Sequence, residues 1–353
     1  MGSHHYWNRS YYCISLRGVA WRAVVFLHAR GEVRGMTTAE IHPEVEATAE
    51  AIASMEIRGA ATIASAAADA LRRQASQSEA TTAEEFQTQL RAAAQRLHET
   101  RPTAVSLPNC LRYVLGRMEG ETVEALRTST IAAAREFSTR VQTAQDDLGA
   151  VGANRLRDGD TVMTHCHSTD VLSCIKAAHE RGIELSAIVK ETRPRKQGHI
   201  TAAELRDLGI PVTLIVDGAA GRYLDEVDHV FVGADSIAAD GAVINKIGTR
   251  SLAVTARERD TPIVVAAQTV KLDPATLSGH TVEIEYRDES EVISEAEREE
   301  IGEITVRNPA FDVTPPRYVD AIVTERGQFP PESIVTLMRE LFGEQTATPW
   351  EEE

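Results

Sequence analysis

Lysine is almost missing from this chain of 353 residues. Lys176, Lys190, Lys196, Lys246 and Lys271 stand against 32 arginines, and 53 acidic residues bring the net charge to −16. That balance excludes general nucleic-acid binding, which needs a positive footprint. An acidic, lysine-poor surface suits a protein kept soluble in high salt, so a halophilic source is expected. Cysteine is scarce as well. Cys13, Cys110, Cys166 and Cys174 form no CxxC pair, and they read as free thiols in a reducing cytosol rather than a disulfide framework. No apolar run approaches the ~18 residues of a membrane span. No GxGxxG follows the first predicted strand, and no repeat recurs at a solenoid period. What remains is an alanine-rich globular composition, long enough for a large core and two domains.

Residues 1–35 differ from the rest. They carry a charge of +4, against −20 for residues 36–353. The partly apolar run from Val19 to Ala29 is interrupted by Arg22 and lacks a clean cleavage site, which argues against a signal peptide. The segment reads as a non-native or miscalled extension, with the true start at Met36. From 36 to 153 the pattern is that of a helical N-terminal domain. Pro43 opens one helix, Thr82 precedes an amphipathic stretch from Ala83 to His98, and Glu121 to Asp147 forms another. Arg101-Pro102-Thr103 reads as a loop that continues through Leu107-Pro108-Asn109.

Short apolar strands and helices alternate after Asp160. Strands are predicted at 161–164, 186–190, 211–216, 229–232 and 262–266, with helices at 170–181 and 202–208 between them. This is the grammar of an α/β fold: a Rossmann-like parallel-sheet domain over 154–345, followed by an acidic tail at 346–353. Glu283 to Glu303 reads as a polar surface excursion. In such folds ligands bind beyond the C-terminal ends of the strands. Cys166, Arg193, Asp235 and Lys271 all follow predicted strands, which points to one shared site.

The candidate residues are short polar islands. Arg58-Gly59-Ala60-Ala61 interrupts a helical pattern with small residues whose N–H groups can approach an anion. His165-Cys166-His167 does not suit one metal ion, because neighbours on an extended strand point to opposite sides. Cys166 fits a thiolate base, its pKa lowered by the helix that starts at Ser168-Thr169-Asp170; Cys174 fits a buried apolar site. Asp235 ends an apolar strand, where a raised pKa would suit a general acid, although taken alone an N-cap or turn Asp is the commoner case. Asn245-Lys246-Ile247-Gly248-Thr249 offers an amide, an ammonium and close backbone approach. Lys246 and Lys271 place two of the chain's five lysines in strand-end loops.

Arg-Gly-Ala, Gly-Ala-Asp and Asn-Lys-Ile-Gly-Thr in this order, with Asn308-Pro309-Ala310-Phe311-Asp312-Val313-Thr314-Pro315, resemble a known family over residues 40–340. It comprises ribose 1,5-bisphosphate isomerases, methylthioribose 1-phosphate isomerases and regulatory subunits of the translation-initiation exchange factor. The match looks closest to the archaeal bisphosphate isomerases. The resemblance implies Cys166 as proton acceptor and Asp235 as proton donor. It implies substrate contacts at Arg58, Gly59, Ala60, Ala61, Arg101, Ser168, Thr169, Asp170, Asn245, Lys246 and Lys271. Ala61 stands where methylthioribose enzymes usually carry Pro, and His167 stands where a smaller or amide residue is expected. The implied reaction is ribose 1,5-bisphosphate to ribulose 1,5-bisphosphate in nucleoside salvage, without cofactor or metal. A cytoplasmic homo-oligomer is implied, a hexamer as a trimer of dimers, with AMP as activator and no nucleic acid or membrane as partner. Methylthioribose 1-phosphate isomerase and a non-catalytic translation-factor homologue remain as alternatives.

Overall fold

Side chains alternate across the strands of the larger sheet, and this parity builds two cores. The computed structural model describes residues 40–101, 104–342 and 349–350. The 1–35 extension, most of the acidic tail, and Pro102 and Thr103 of the expected loop lie outside these residues.

Five helices come first: α1 (Pro43–Ala53), α2 (Ala60–Gln77), α3 (Ala83–His98), α4 (Ser106–Leu115) and α5 (Val123–Ala153). Their starts follow capping chemistry. Pro43 opens α1, the Thr82 hydroxyl accepts the Glu85 N–H at 3.1 Å, and Thr122 accepts that of Ala125 at 3.2 Å. Leu71, Phe86, Leu90, Leu97 and Leu111 meet in one fully buried core. Each such side chain contributes about 1.5–3 kcal/mol on leaving water. Leu107-Pro108-Asn109 is not the expected loop: it forms the first turns of α4. Proline is tolerated there because an N–H in the first turn has no intrahelical acceptor to lose.

After α5 the chain runs β1 (Thr161–His165), α6 (Thr169–Glu180), β2 (Ser186–Lys190), α7 (Gly198–Asp207), β3 (Val212–Ile215), α8 (Ala220–Tyr223), β4 (His229–Gly233), β5 (Ser236–Ala238) and β6 (Val243–Lys246). It continues with α9 (Thr249–Glu258), β7 (Ile263–Ala266), β8 (Leu272–Asp273), α10 (Glu295–Ile301), β9 (Phe311–Thr314), β10 (Ala321–Thr324), β11 (Gly327–Phe329) and α11 (Ile334–Phe342). Seven strands form a sheet in the order β11-β10-β7-β4-β1-β2-β3, parallel except for the terminal β10/β11 pair. Val162, Phe231 and Val264 face one core with α6 and α7; Met163, Val230, Val232 and Ile263 face the other with α9 and α11. The chain moves outward from β1 to β3, then crosses back to β4 on the opposite side of β1. That reversal opens a crevice at the C-terminal ends of β1 and β4. A smaller sheet, β8-β5-β6-β9, lies alongside. No helix among the described residues is long and apolar enough to cross a membrane.

Candidate active site

The two residues singled out for proton transfer stand on either side of that crevice. Cys166 directly follows β1, and Asp235 follows β4 by two residues. Gly233, the last residue of β4, allows the close approach. A Cβ there would lie 2.4 Å from Ser168 Oγ, so the strand passes the start of α6 only as glycine. Ser168 is the N-cap of α6, its hydroxyl accepting the Val171 N–H at 3.3 Å.

Gly59, Ala60, Arg101 and Asp235 line one cavity of 230 Å³, together with Ser236, Glu285 and Phe311. The turn between α1 and α2 delivers Gly59 in a left-handed conformation, φ 92°. Arg58 is exposed and Ala61 half-buried, both outside the lining. Arg101 donates to Glu285 at 3.2 Å. Glu285 belongs to the stretch expected as a surface excursion; this part of it folds back onto the site instead. A larger cavity, 370 Å³, lies between α4, α5 and α11 and holds none of the residues singled out from sequence.

The remaining predicted contacts surround the crevice. Lys271 donates to Asp170 at 2.7 Å, and both are buried. The Gln268 side-chain amide holds the other carboxylate oxygen at 3.0 Å. Asp170 is therefore occupied by protein, and its place is to aim Lys271. Thr169 beside it is exposed. Asn245 is buried and donates to Thr249 Oγ1 at 3.0 Å. Lys246 is half-buried with its ammonium 4.6 Å from the Phe311 ring centre. Arg193 follows β2, and its backbone N–H bonds Asp217 at 2.7 Å.

Electrostatics joins these pieces. Asp235 is exposed where it lines the cavity, although protein atoms crowd around its carboxyl. Burial raises its pKa above the usual carboxylate range, opposed by the charges of Lys271, Lys246 and Arg101. Cys166 is only 9% exposed. Here the sequence expectation is overturned. Burial pushes the thiol up to about 11, against the His167 N–H and the Lys246 charge, which pull it down. Desolvation at the end of an interior strand outweighs the partial charge of a helix terminus. Cys174 is fully buried, as the sequence suggested.

Sequence reasoning missed a polar cluster beneath Cys166. His165, Lys190 and Thr192 are all buried. Burial and the Lys190 charge depress the His165 pKa to about 4, and burial lowers that of Lys190. Asp312 caps α9, accepting the N–H groups of Gly248 at 2.7 Å and Arg250 at 3.0 Å. The position of Lys190 at the end of a predicted strand, in so lysine-poor a chain, was the signal available for it.

Comparison with known proteins bears on this arrangement. The Initiation factor 2 subunit family matches residues 56–331. Ribose 1,5-bisphosphate isomerase of Haloferax volcanii is 68% identical over 88% of this chain and 97% of its own length. Methylthioribose-1-phosphate isomerase of Pelotomaculum thermopropionicum is 42% identical over 79% of this chain and 81% of its own. The crystal structure of a translation initiation factor eIF-2B of Pyrococcus horikoshii superimposes with a TM-score of 0.71 at 32% identity, covering 83% of this chain and 99% of that one. The chain belongs to the Initiation factor 2 subunit family. Within it, this protein is an enzyme of the isomerase class.

Proposed function

We propose that the protein converts α-ribose 1,5-bisphosphate to ribulose 1,5-bisphosphate, with Asp235 as proton donor and Cys166 as proton acceptor. The observation that carries this reading is the pairing of a thiol and a carboxyl across the β1/β4 crevice, close enough for the carboxylate to act on the thiol's pKa. The substrate's C1 oxygen is blocked by phosphate, so the ring opens only if its oxygen is protonated. Asp235, held toward its acid form, gives that proton as C1 becomes carbonyl-like. The Cys166 thiolate takes the C2 proton, leaving an enol phosphate. Asp235 then accepts the C2 hydroxyl proton while Cys166 returns its proton to C1, and both groups are restored. Enclosure of the crevice protects the enol phosphate from losing phosphate. Arg58, the Gly59-Ala60-Ala61 turn, Arg101, Asn245, Lys246 and Lys271 are the proposed contacts of a substrate with phosphate at both ends. Ser168 and Thr169 complete them at the start of α6, where Asp170, expected from sequence as a further contact, instead aims Lys271.

Burial raises both the thiol, to about 11, and the carboxyl, and the reactive form, thiolate with carboxylic acid, is one of the two arrangements of a singly protonated pair. Turnover still follows the singly protonated total, giving a bell-shaped pH profile. The test is direct. Purified protein in high salt is offered α-ribose 1,5-bisphosphate and, separately, methylthioribose 1-phosphate. Cys166→Ser and Asp235→Asn are expected to lower turnover of the bisphosphate by about 10²–10⁴-fold. Wild-type rates in either variant overturn the mechanism, and preference for methylthioribose 1-phosphate overturns the substrate. Activation by AMP, a place in nucleoside salvage and a hexamer built from dimers belong to the same proposal. Rates with and without AMP, and light scattering in high salt, test the first and last.

A further inference from the structure

Behind the Cys166 turn lies a chain of buried hydrogen bonds that proton transfer itself does not use. His165 is 1% exposed and Thr192 0%. His165 Nε2 sits 2.8 Å from the carbonyl oxygen of Ile247. A carbonyl only accepts, so Nε2 carries the proton. Nδ1 lies 3.3 Å from Thr192 Oγ1, whose single hydroxyl proton faces two acceptors, Nδ1 and the Lys190 carbonyl at 3.1 Å. The same Thr192 oxygen accepts the Cys166 N–H at 2.8 Å. On the other side of the turn, Thr201 Oγ1 donates to the Cys166 carbonyl at 2.9 Å.

Cys166 depends on such support. Its φ of 71° lies in the left-handed region, which a non-glycine residue keeps only where its surroundings fix it. Ile247 directly follows β6, whose last residues are Asn245 and Lys246, and the ring of His165 packs so close to Gly248 that a Cβ there would lie 3.2 Å from it. One imidazole thus touches both the turn bearing the thiol and the connection next to the ammonium that acts on it.

We propose that His165 is a positioning residue for the reaction: as a neutral imidazole it clamps the Cys166 turn, through Thr192, to the β6–α9 connection that follows Lys246. The clamp rests on the isomerase reading above and adds to it the element that fixes the thiol relative to Lys246. Three charged groups face the ring: Lys190 from β2, Lys246 from β6, and Asp217, whose Oδ1 is 3.9 Å from Nδ1. Burial and the neighbouring Lys190 keep the imidazole uncharged at neutral pH. That state leaves Nδ1 an acceptor facing the Thr192 hydroxyl, which also reaches the Lys190 carbonyl.

Four variants and two readouts test the clamp. Thr192→Val removes the hydroxyl at nearly constant volume, and Thr192→Ser retains it. His165→Phe removes both ring contacts, and His165→Gln keeps a donor within reach of Ile247. Thr192→Val is expected to lower kcat by about 10–100-fold, the scale of a misplacement near 1 Å, with a much smaller change in KM. His165→Phe lowers kcat and raises KM, because it frees both loops. Thr192→Ser and His165→Gln recover most of the loss. The second readout is the iodoacetamide alkylation rate of Cys166, followed by peptide mass spectrometry across pH, which shifts in Thr192→Val and returns in Thr192→Ser. Circular dichroism in high salt establishes that each variant is folded. A folded Thr192→Val or His165→Phe with wild-type kcat, KM and alkylation profile overturns the clamp. If the wild type turns over no sugar phosphate, the isomerase reading fails, and the alkylation arm alone decides the clamp.

Discussion

The helices of residues 43–153 and the sheet that follows bury different things. Among the described residues, the helical region buries amides and hydroxyls at Gln74, Gln89, Ser106, Asn109 and Thr130, but no ionisable side chain other than the Cys110 thiol. The sheet region buries His165, Asp170, Lys190 and Lys271, all near one end of the strands. Burying charge is costly unless it is paired. One region therefore contributes a core, and the other holds groups whose burial makes sense as preparation for a ligand.

Removing one partner of the buried Lys271–Asp170 pair tests this contrast most severely. Lys271→Met leaves an uncompensated carboxylate and is expected to cost about 3–5 kcal/mol in urea unfolding, together with substrate binding. The double variant Lys271→Met/Asp170→Leu should regain stability and not activity; recovery of activity would remove Lys271 from the site. Leu90→Ala in the helical core is expected to cost about 2–5 kcal/mol while kcat at saturating salt stays near wild type. A large kcat loss there would show that the two regions are not separable in this way.

The third test is pH. The folded-state pKa of His165 is depressed to about 4, so the unfolded chain binds this proton first as pH falls. His165 therefore contributes stability that is present above the unfolded value near 6.5 and is lost down to about 4, at most about 3 kcal/mol. Denaturant midpoints measured from pH 7 to 4 should fall less steeply in His165→Phe than in wild type. The smallest effect is expected at a helix start: Thr82→Ala should cost about 1 kcal/mol, read as a shift in thermal midpoint, with turnover unchanged.

Much of the architecture was legible. Ala83 to His98 and Ser186 to Lys190 match their elements at both ends, because a cap residue and a short apolar run are local signals. The α4 region was misread because Pro108 looks like a loop residue until a helix is seen to start two residues before it. Cys166 and Asp235 could be placed at strand ends from sequence. The part of Glu285 could not, since its partner Arg101 lies 184 residues away. The acidic, arginine-rich composition suggested a halophilic source, and the relative from Haloferax volcanii agrees with it.

The sequence by itself determined which residues stand at strand and helix ends, because capping, proline geometry and two-residue alternation act over a few neighbours. Lysine scarcity marked Lys246 and Lys271 in the same way. Only the tertiary structure decided that Gly59, Arg101 and Asp235 share a cavity, that Asp170 is taken by Lys271, and that His165 lies behind Cys166. It also reversed the sign of the Cys166 shift. A pKa is a sum over solvent and charges from every direction, and most of those neighbours come from distant parts of the chain.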